Sequence, residues 1–398
     1  MQRWRVQFHR VVRLIILFDN TNLVPQFVHG RRCPFLAIVQ WNARSLIANR
    51  DSFQRALSTN PVAVVALSET WFRPRVPVQF PGYTLLRVDR FDGKGGVAIM
   101  IHDSIRYRHI PLVCPYSQFQ AVAAWITVGD VSFSLLSVYR VPGYRGFEIE
   151  LHQWLNMIPQ PFLICGDFNA HHVGWGCPYN DGPGLLIMGL ADDLRLSLAN
   201  TGDATHIPQF GNRPMALDIT FSSPGFPGLC NWHVLQDSWG SDHLPILMCV
   251  MYRPNMQTAT LSQPGRWNVS RANWDLYRQR VTDLLSEQTE EGSTHHQYDA
   301  FVSMIRQAAS GAVPWVSSAV TTRRPRTPWW TADCSAATAT RSLALAEYRR
   351  APTLASFLIY RQAGACCRKT LRLAKRNGWR KFCSVIDASA FAFDLADD

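Results

Sequence analysis

Between residues 34 and 252 the chain repeats one pattern ten times: a short β-branched or aromatic run closed by a turn signal. The runs are PFLAIVQWN, VAVVALSET, YTLLRVDR, GGVAIMIH, VAAWITV, SFSLLSVYR, FLICGDFN, ALDITFSS, HVLQD and LPILMCV. Segments of this length and composition are strands. Many are apolar at consecutive positions, which requires that both faces of their sheet be covered. Residues 45–58 and 146–157 have helical spacing. The pattern predicts an α/β fold, a four-layered α/β sandwich of two mixed sheets packed face to face with helices outside.

The remaining composition sets the frame. The chain has 398 residues, 47% hydrophobic and 17% charged, enough for a globular core. Its apolar stretches are strand-sized and interrupted, so no membrane span is expected. Residues 1–33 are Arg-rich with Asp19 as their only acid, and are expected to be an unstructured leader rather than a transit peptide. Ten cysteines lie at irregular spacings without a CxxC pair, and Cys165 and Cys249 fall inside apolar runs. That usage fits a reducing, intracellular location better than a disulfide scaffold. Residues 253–266, a polar stretch with prolines, are expected to be a linker, and 267–398 a mainly helical basic connector. The net charge is +11, and residues 321–383 hold fourteen Lys or Arg against Asp333 and Glu347. Such a block favours a polyanion.

A polar residue ending a buried strand reaches the rim of a sheet, where α/β sites assemble. In chain order these residues are Asn42 in QWNARS, Glu69 in ALSET, Tyr139 in LLSVYR, Asp167 and Asn169 in CGDFNA, Asp218 in ALDIT, and Asp242 with His243 in GSDHLP. Breaking a phosphodiester needs a hard cation, a base to orient water and donors for developing charge. Carboxylates are natural Mg²⁺ ligands, whereas Asn, Tyr and His can donate to phosphate. Each residue also has an ordinary structural reading: Asn42 as a cap, Glu69 as a solvated strand end, Tyr139 as a half-buried aromatic, Asp167 and Asn169 as an Asx turn, Asp218 as a turn acid, and His243 as a core histidine. His171, His172 and Cys177 invite a zinc reading, but no fourth ligand has suitable spacing.

The motifs WN, SET, Y, GDFN, LD and SDHLP, in that order over about two hundred residues, resemble the endonuclease/exonuclease/phosphatase superfamily. The resemblance implies a metal-dependent phosphodiesterase with Mg²⁺ as cofactor, Mn²⁺ substituting. It implies Glu69 as the principal metal ligand with Asn42 and Asp242, Asp167 as the base for water, Asn169 as holder of the phosphate or of that water, Tyr139 as a donor to phosphate, and His243 as charge stabiliser with Asp218 fixing its tautomer. Thr205 matches a substrate-contacting threonine of retrotransposon endonucleases, and Arg44, His171 and Ser241 are further substrate-binding candidates. Some abasic-site enzymes carry an acid where this chain has Arg44, which weakens an abasic-repair reading. VDRFDGKGGVAIMI, GDFNAHHVGWG and the tail with PWWTADC and KRNGWRKFC resemble the endonuclease of non-LTR retrotransposons.

The chain stops at FAFDLADD without a polymerase motif, so an endonuclease with its connector, lacking reverse transcriptase, is the expectation. The implied activity is nicking one DNA strand to leave a 3′-hydroxyl, in the nucleus, with DNA as partner and RNA as a second candidate partner of the basic tail. A phosphatase of the same superfamily is one alternative, although inositol phosphatases have a Trp-Cys-Asp-Arg pattern where this chain has ALDIT. The other alternative is a catalytically idle nucleic-acid-binding protein, with Trp379 and Tyr348 of the tail stacking on single strands.

Overall fold

The computed structural model describes residues 35–59, 62–113, 118–252, 266–267, 271–286, 294–316 and 328–385. The expected leader over 1–33, and the linker except for Arg266, lie outside the described residues.

By its contacts the chain divides into two compact units, Met1–Pro254 with Pro325–Asp398, and Asn255–Arg324. The first unit holds two six-stranded sheets. In space the first runs β11 (Leu229–Val234), β12 (Ile246–Met251), β1 (Phe35–Asn42), β2 (Val64–Ser68), β4 (Val97–His102), β3 (Tyr83–Val88). The second runs β5 (Arg106–Ile110), β6 (Phe119–Val128), β7 (Val131–Arg140), β8 (Phe162–Asp167), β10 (Asp218–Ser222), β9 (Ser197–Leu198). The pairs β1–β2 and β7–β8 are parallel and the other pairings are antiparallel, so both sheets are mixed.

The consecutive apolar positions find cover on both faces, as expected. Between the sheets, Ile38, Ala66 and Ile99 pack with Ala124, Leu135 and Cys165. Outside the first sheet, α1 (Leu46–Thr59) places Leu46, Phe53 and Leu57 on one face against Trp41 and Trp239. Outside the second, α2 (Phe147–Met157) and α3 (Gly182–Asp193) bury Trp154, Leu151 and Ile187. The four-layered α/β sandwich is present. Cys165 and Cys249 are buried, and no helix among the described residues is long and apolar enough to cross a membrane.

Four elements differ from the sequence expectation. The helix α3, GPGLLIMGLADD, has the glycines and proline of a loop. It forms because the Asp181 side chain caps it, accepting from the Gly184 N–H at 2.7 Å. The strands β5 and β9 have no strong apolar run. HVLQD was expected as a strand, but β11 ends at Val234, and Asp237 instead accepts from Trp239 N and the Arg341 side chain.

The basic tail does not form one connector over 267–398. In the first unit, α6 (Ala332–Arg350) and α7 (Leu354–Val385) form a hairpin on the sandwich. Leu345 (0% exposed) and Tyr348 (2%) join the cluster of Trp232, Val234 and Leu244, and the Tyr348 hydroxyl donates to Pro208 O at 3.1 Å. Tyr348 is therefore a core residue and cannot serve as an open stacking platform. The second unit pairs α4 (Trp274–Ser286) with α5 (Thr294–Ala312), and β13 (Arg266–Trp267) with β14 (Trp315–Val316).

Candidate active site

The sequence-predicted residues converge where one end of each sheet meets the other. Asn42 ends β1, Asp167 ends β8 and Asp218 begins β10. Asp167 lies in register with Tyr139 on one side and Asp218 on the other, so three of the candidate side chains share one rim row. The sheets are joined at this rim. Ser68 Oγ donates to Val138 O at 3.0 Å, and Gln40 Nε2 donates to Gly166 O at 3.1 Å. Gly166 is required there, because a Cβ would lie 2.0 Å from Val138 O. Glu69 (φ 49°) and Asn169 (φ 45°) adopt left-handed backbone just past their strands. Such conformations cost roughly 1–3 kcal/mol each for ordinary residues and gather where function requires a fixed side-chain direction.

Two hydrogen-bonded groups result. In the first, Asn42 Nδ2 donates to Asp167 Oδ2 at 2.7 Å and to Glu69 Oε1 at 3.0 Å. The Asn169 backbone N–H donates to Asp167 Oδ1 at 2.9 Å, and Trp71 Nε1 donates to Glu69 Oε2 at 3.1 Å. In the second, Thr205 Oγ1 donates to Asp218 Oδ2 at 2.6 Å, and His243 Nδ1 lies 2.7 Å from the same oxygen. Nδ1 therefore carries the proton toward Asp218. Ser241 links the groups, its hydroxyl donating to Asn42 O at 2.8 Å while accepting from His243 N at 3.1 Å. His243 Nε2 stands 4.0 Å from Asp167 Oδ2, beyond hydrogen-bonding distance.

The charges are shifted accordingly. Burial and the neighbouring Asp218 and Glu69 carboxylates push Asp167 up to about 7 against the His243 charge and the Asn169 N–H. Burial alone would lower His243, but Asp218, hydrogen-bonded to it, with Asp167 and Asp242 lifts it to about 10. Burial, then Glu69 and Asp167, raises Tyr139 well above its ordinary value, so the phenol stays a protonated donor.

Other candidates sit differently. Arg44 is exposed and ion-paired with Asp242, which lies 3.9 Å from His206 Nε2. His171 turns to Asp181, with Nδ1 2.8 Å from Oδ2, and stacks on Tyr179. Neither His172 nor Cys177 supports zinc: His172 Nδ1 accepts from Gly174 N, and the buried Cys177 thiol donates to Ala216 O.

Sequence reasoning missed Arg140, Ser68 and His206. Arg140 is buried and donates to the carbonyls of Phe168 and Asn169 at 2.6 and 2.5 Å, holding the GDFN turn. An arginine inside a buried strand must find such partners, and that was the available signal. The ring of His206, adjacent to Thr205, lies 4.9 Å from that of His243.

A hard divalent cation fits this donor set. Among the described residues, no three His, Cys, Asp or Glu side chains come close enough for an all-protein cage. Half-buried Glu69 offers oxygen lone pairs beyond the hydrogen bonds it accepts from Asn42 and Trp71. One carboxylate completed by water and phosphate is the habit of Mg²⁺. Asn42 has less to offer, since its Oδ1 already accepts from Arg44 N at 2.9 Å.

Residues 133–247 match the family model described as Endonuclease-reverse transcriptase. The RNA-directed DNA polymerase from mobile element jockey of Drosophila melanogaster is 26% identical over 295 residues, covering 71% of this chain and 31% of that protein. The probable RNA-directed DNA polymerase from transposon X-element of the same species is 24% identical, covering 70% and 30%. The chain thus spans about a third of the length of these relatives. Among solved structures, the endonuclease domain of TRAS1, a telomere-specific non-LTR retrotransposon, is 22% identical with a TM-score of 0.46, covering 55% of this chain and 99% of that domain. The chain resembles the endonuclease/exonuclease/phosphatase superfamily, and within it the endonucleases of non-LTR retrotransposon polyproteins.

Proposed function

We propose that this chain is a divalent-metal-dependent phosphodiesterase that nicks one strand of DNA and leaves a 3′-hydroxyl. The carrying observation is the buried row Asp167, His243, Asp218 and Thr205, in which His243 Nε2 faces Asp167 across 4.0 Å without bonding to it. A phosphate oxygen has a ready donor there.

Asp167, at about 7, is basic enough to take a proton from water and acidic enough to be ionised near neutrality. The water oxygen forms a bond to phosphorus, the bond to the 3′-oxygen breaks, and solvent protonates the departing oxygen. Imidazolium His243 and phenolic Tyr139 donate to the phosphate as charge develops, and Asn169 holds it in place. Asp218 keeps the imidazole oriented and charged, in the manner of a triad acid. Glu69, with Asn42 beside it, would hold Mg²⁺ or Mn²⁺, which supplies Lewis-acid stabilisation of phosphate charge when bound. Exposed Arg44 and the Ser241 loop border the approach of the strand. On this reading the protein acts in the nucleus.

The test is the chemistry of the nick. Supercoiled DNA cut in Mg²⁺ should be extended by a polymerase without end repair. Extension that needs prior phosphatase treatment overturns the 3′-hydroxyl assignment.

A further inference from the structure

Outside the active site, α7 is unusual in charge. Its 32 residues, LASFLIYRQAGACCRKTLRLAKRNGWRKFCSV, contain eight Lys or Arg and no acid. Near its C-terminal end it forms, with Pro328 and Trp329, an open groove of roughly 1030 Å³. Trp329, Trp379 and Phe382 supply the aromatic walls, and Arg372, Lys375, Arg376 and Lys381 supply the cations.

The groove is built into the fold. A Cβ at Gly378 would fall 2.3 Å from Trp329 Cβ, so the glycine makes the slot that seats this indole. A helical glycine costs about 1 kcal/mol relative to alanine, and here that cost places a ring. Lys375 Nζ lies 5.7 Å over the Trp329 ring and pairs with Asp51 at 3.1 Å. Among the described residues, Arg372, Arg376 and Lys381 have no carboxylate partner. Trp379 is 64% and Phe382 57% exposed, their rings 5.5 Å apart.

Uncovered aromatic faces beside unpaired cations suit a ligand with planar rings and regularly spaced negative charge. We propose that this groove binds single-stranded nucleic acid, with bases stacking on Trp379 and Phe382 while Arg372, Arg376 and Lys381 contact phosphates. A duplex keeps its bases stacked on each other and cannot offer them to the rings. A second copy would bring another acid-free helix against this one, and like charge opposes that. The groove shares no residue with the candidate active site, so this inference stands or falls separately from the proposed nicking.

The test uses the full chain in EDTA and fluorescence anisotropy with labelled uridine RNA, deoxythymidine DNA and a duplex of equal length. Variants of the groove should weaken binding of either single strand and leave duplex binding, which the proposed active site also provides, unchanged; equal RNA and DNA affinities would assign recognition to base and phosphate, and an RNA preference would add the 2′-hydroxyl. Trp379→Ala, at an exposed position, should weaken single-strand binding by about 5- to 150-fold, the worth of one base–aromatic stack. Arg372→Gln with Arg376→Gln should reduce the salt slope by roughly 0.7 for each phosphate no longer neutralised. Gly378→Ala should weaken binding while helix content by circular dichroism is unchanged. The proposal is overturned if Trp379→Ala binds single strands as wild type does, if sedimentation shows the groove closed in a self-dimer, or if Trp379 is needed for anionic vesicles alone.

Discussion

Replacing Asp218 by Asn keeps the shape of the His243 support and removes its charge. Thr205 Oγ1 and His243 Nδ1 both address Asp218 Oδ2, at 2.6 and 2.7 Å, and an amide oxygen can accept from both. The lost charge is what holds the proton on His243. One pKa unit is about 1.4 kcal/mol, so raising a buried histidine from 6.5 to about 10 is a preference for imidazolium on the order of 5 kcal/mol. In Asp218→Asn, burial is opposed only by Asp167 and Asp242, and the His243 pKa should fall toward or below its ordinary value. Wild-type single-turnover nicking should then keep its alkaline limb near pH 10, whereas in the variant that limb moves to or below neutrality. At pH 7.5 the variant should lose about two to three orders of magnitude, the worth of one charge-stabilising donor. Stability follows the same sign. A histidine raised in the fold stabilises fully below its unfolded pKa near 6.5 and loses that contribution as pH rises through about 10. The wild-type melting temperature should thus decline between pH 7 and 10, and the variant's should be flatter there. An alkaline limb unmoved by Asp218→Asn refutes this account of His243.

Asp167→Asn should retain near-native DNA affinity and lose about two to four orders of magnitude in nicking rate, read from a binding isotherm beside a single-turnover rate. Because Asp167 is raised to about 7, its ionisation costs stability fully above that pH and not at all below 3.8. The melting temperature of Asp167→Asn relative to wild type should therefore rise as pH climbs from 4 to 8. Arg341→Met should destabilise by about 1–3 kcal/mol in urea melts, since Arg341 is buried but its partner Asp237 is about a third exposed. The same variant should slow nicking, because Asp237 lies on the loop that delivers Ser241 and His243. Residues 34–252, which hold every candidate catalytic side chain, should melt below the full chain, because Leu345 and Tyr348 leave their cluster; equal melting temperatures would restore the boundary expected at 252.

The rim of the sheets was legible because its rules are local. Apolar runs ending in Asn42, Glu69 and Asp167, and one beginning at Asp218, announce strands whose terminal polar residues reach the rim of a sheet, and the motif order adds the loop with His243. Other features depend on neighbours far along the chain. The hairpin of α6 and α7 looked like a detached basic tail because its docking residues, Arg341 and Tyr348, are spaced like any amphipathic helix, and nothing local says that Asp237 and Pro208 await them. Helix α3 was hidden by its glycines, since its capping acid, Asp181, also serves His171. The contact of His171, a substrate-binding candidate in the sequence, with Asp181 was hidden in the same way, because the two are ten residues apart.

The proposed metal-dependent cleavage depends on Glu69 and on the Asp167–His243 pair. The direct measurement is relaxation of supercoiled DNA by the full chain in Mg²⁺ and in EDTA, repeated with Glu69→Ala and His243→Ala, with DNA binding followed in parallel. Nicking in Mg²⁺ that vanishes in EDTA, and falls by orders of magnitude in both variants while binding persists, is the predicted result. Equal nicking in EDTA contradicts the account, as does a wild-type chain that binds DNA under every condition and cuts it under none.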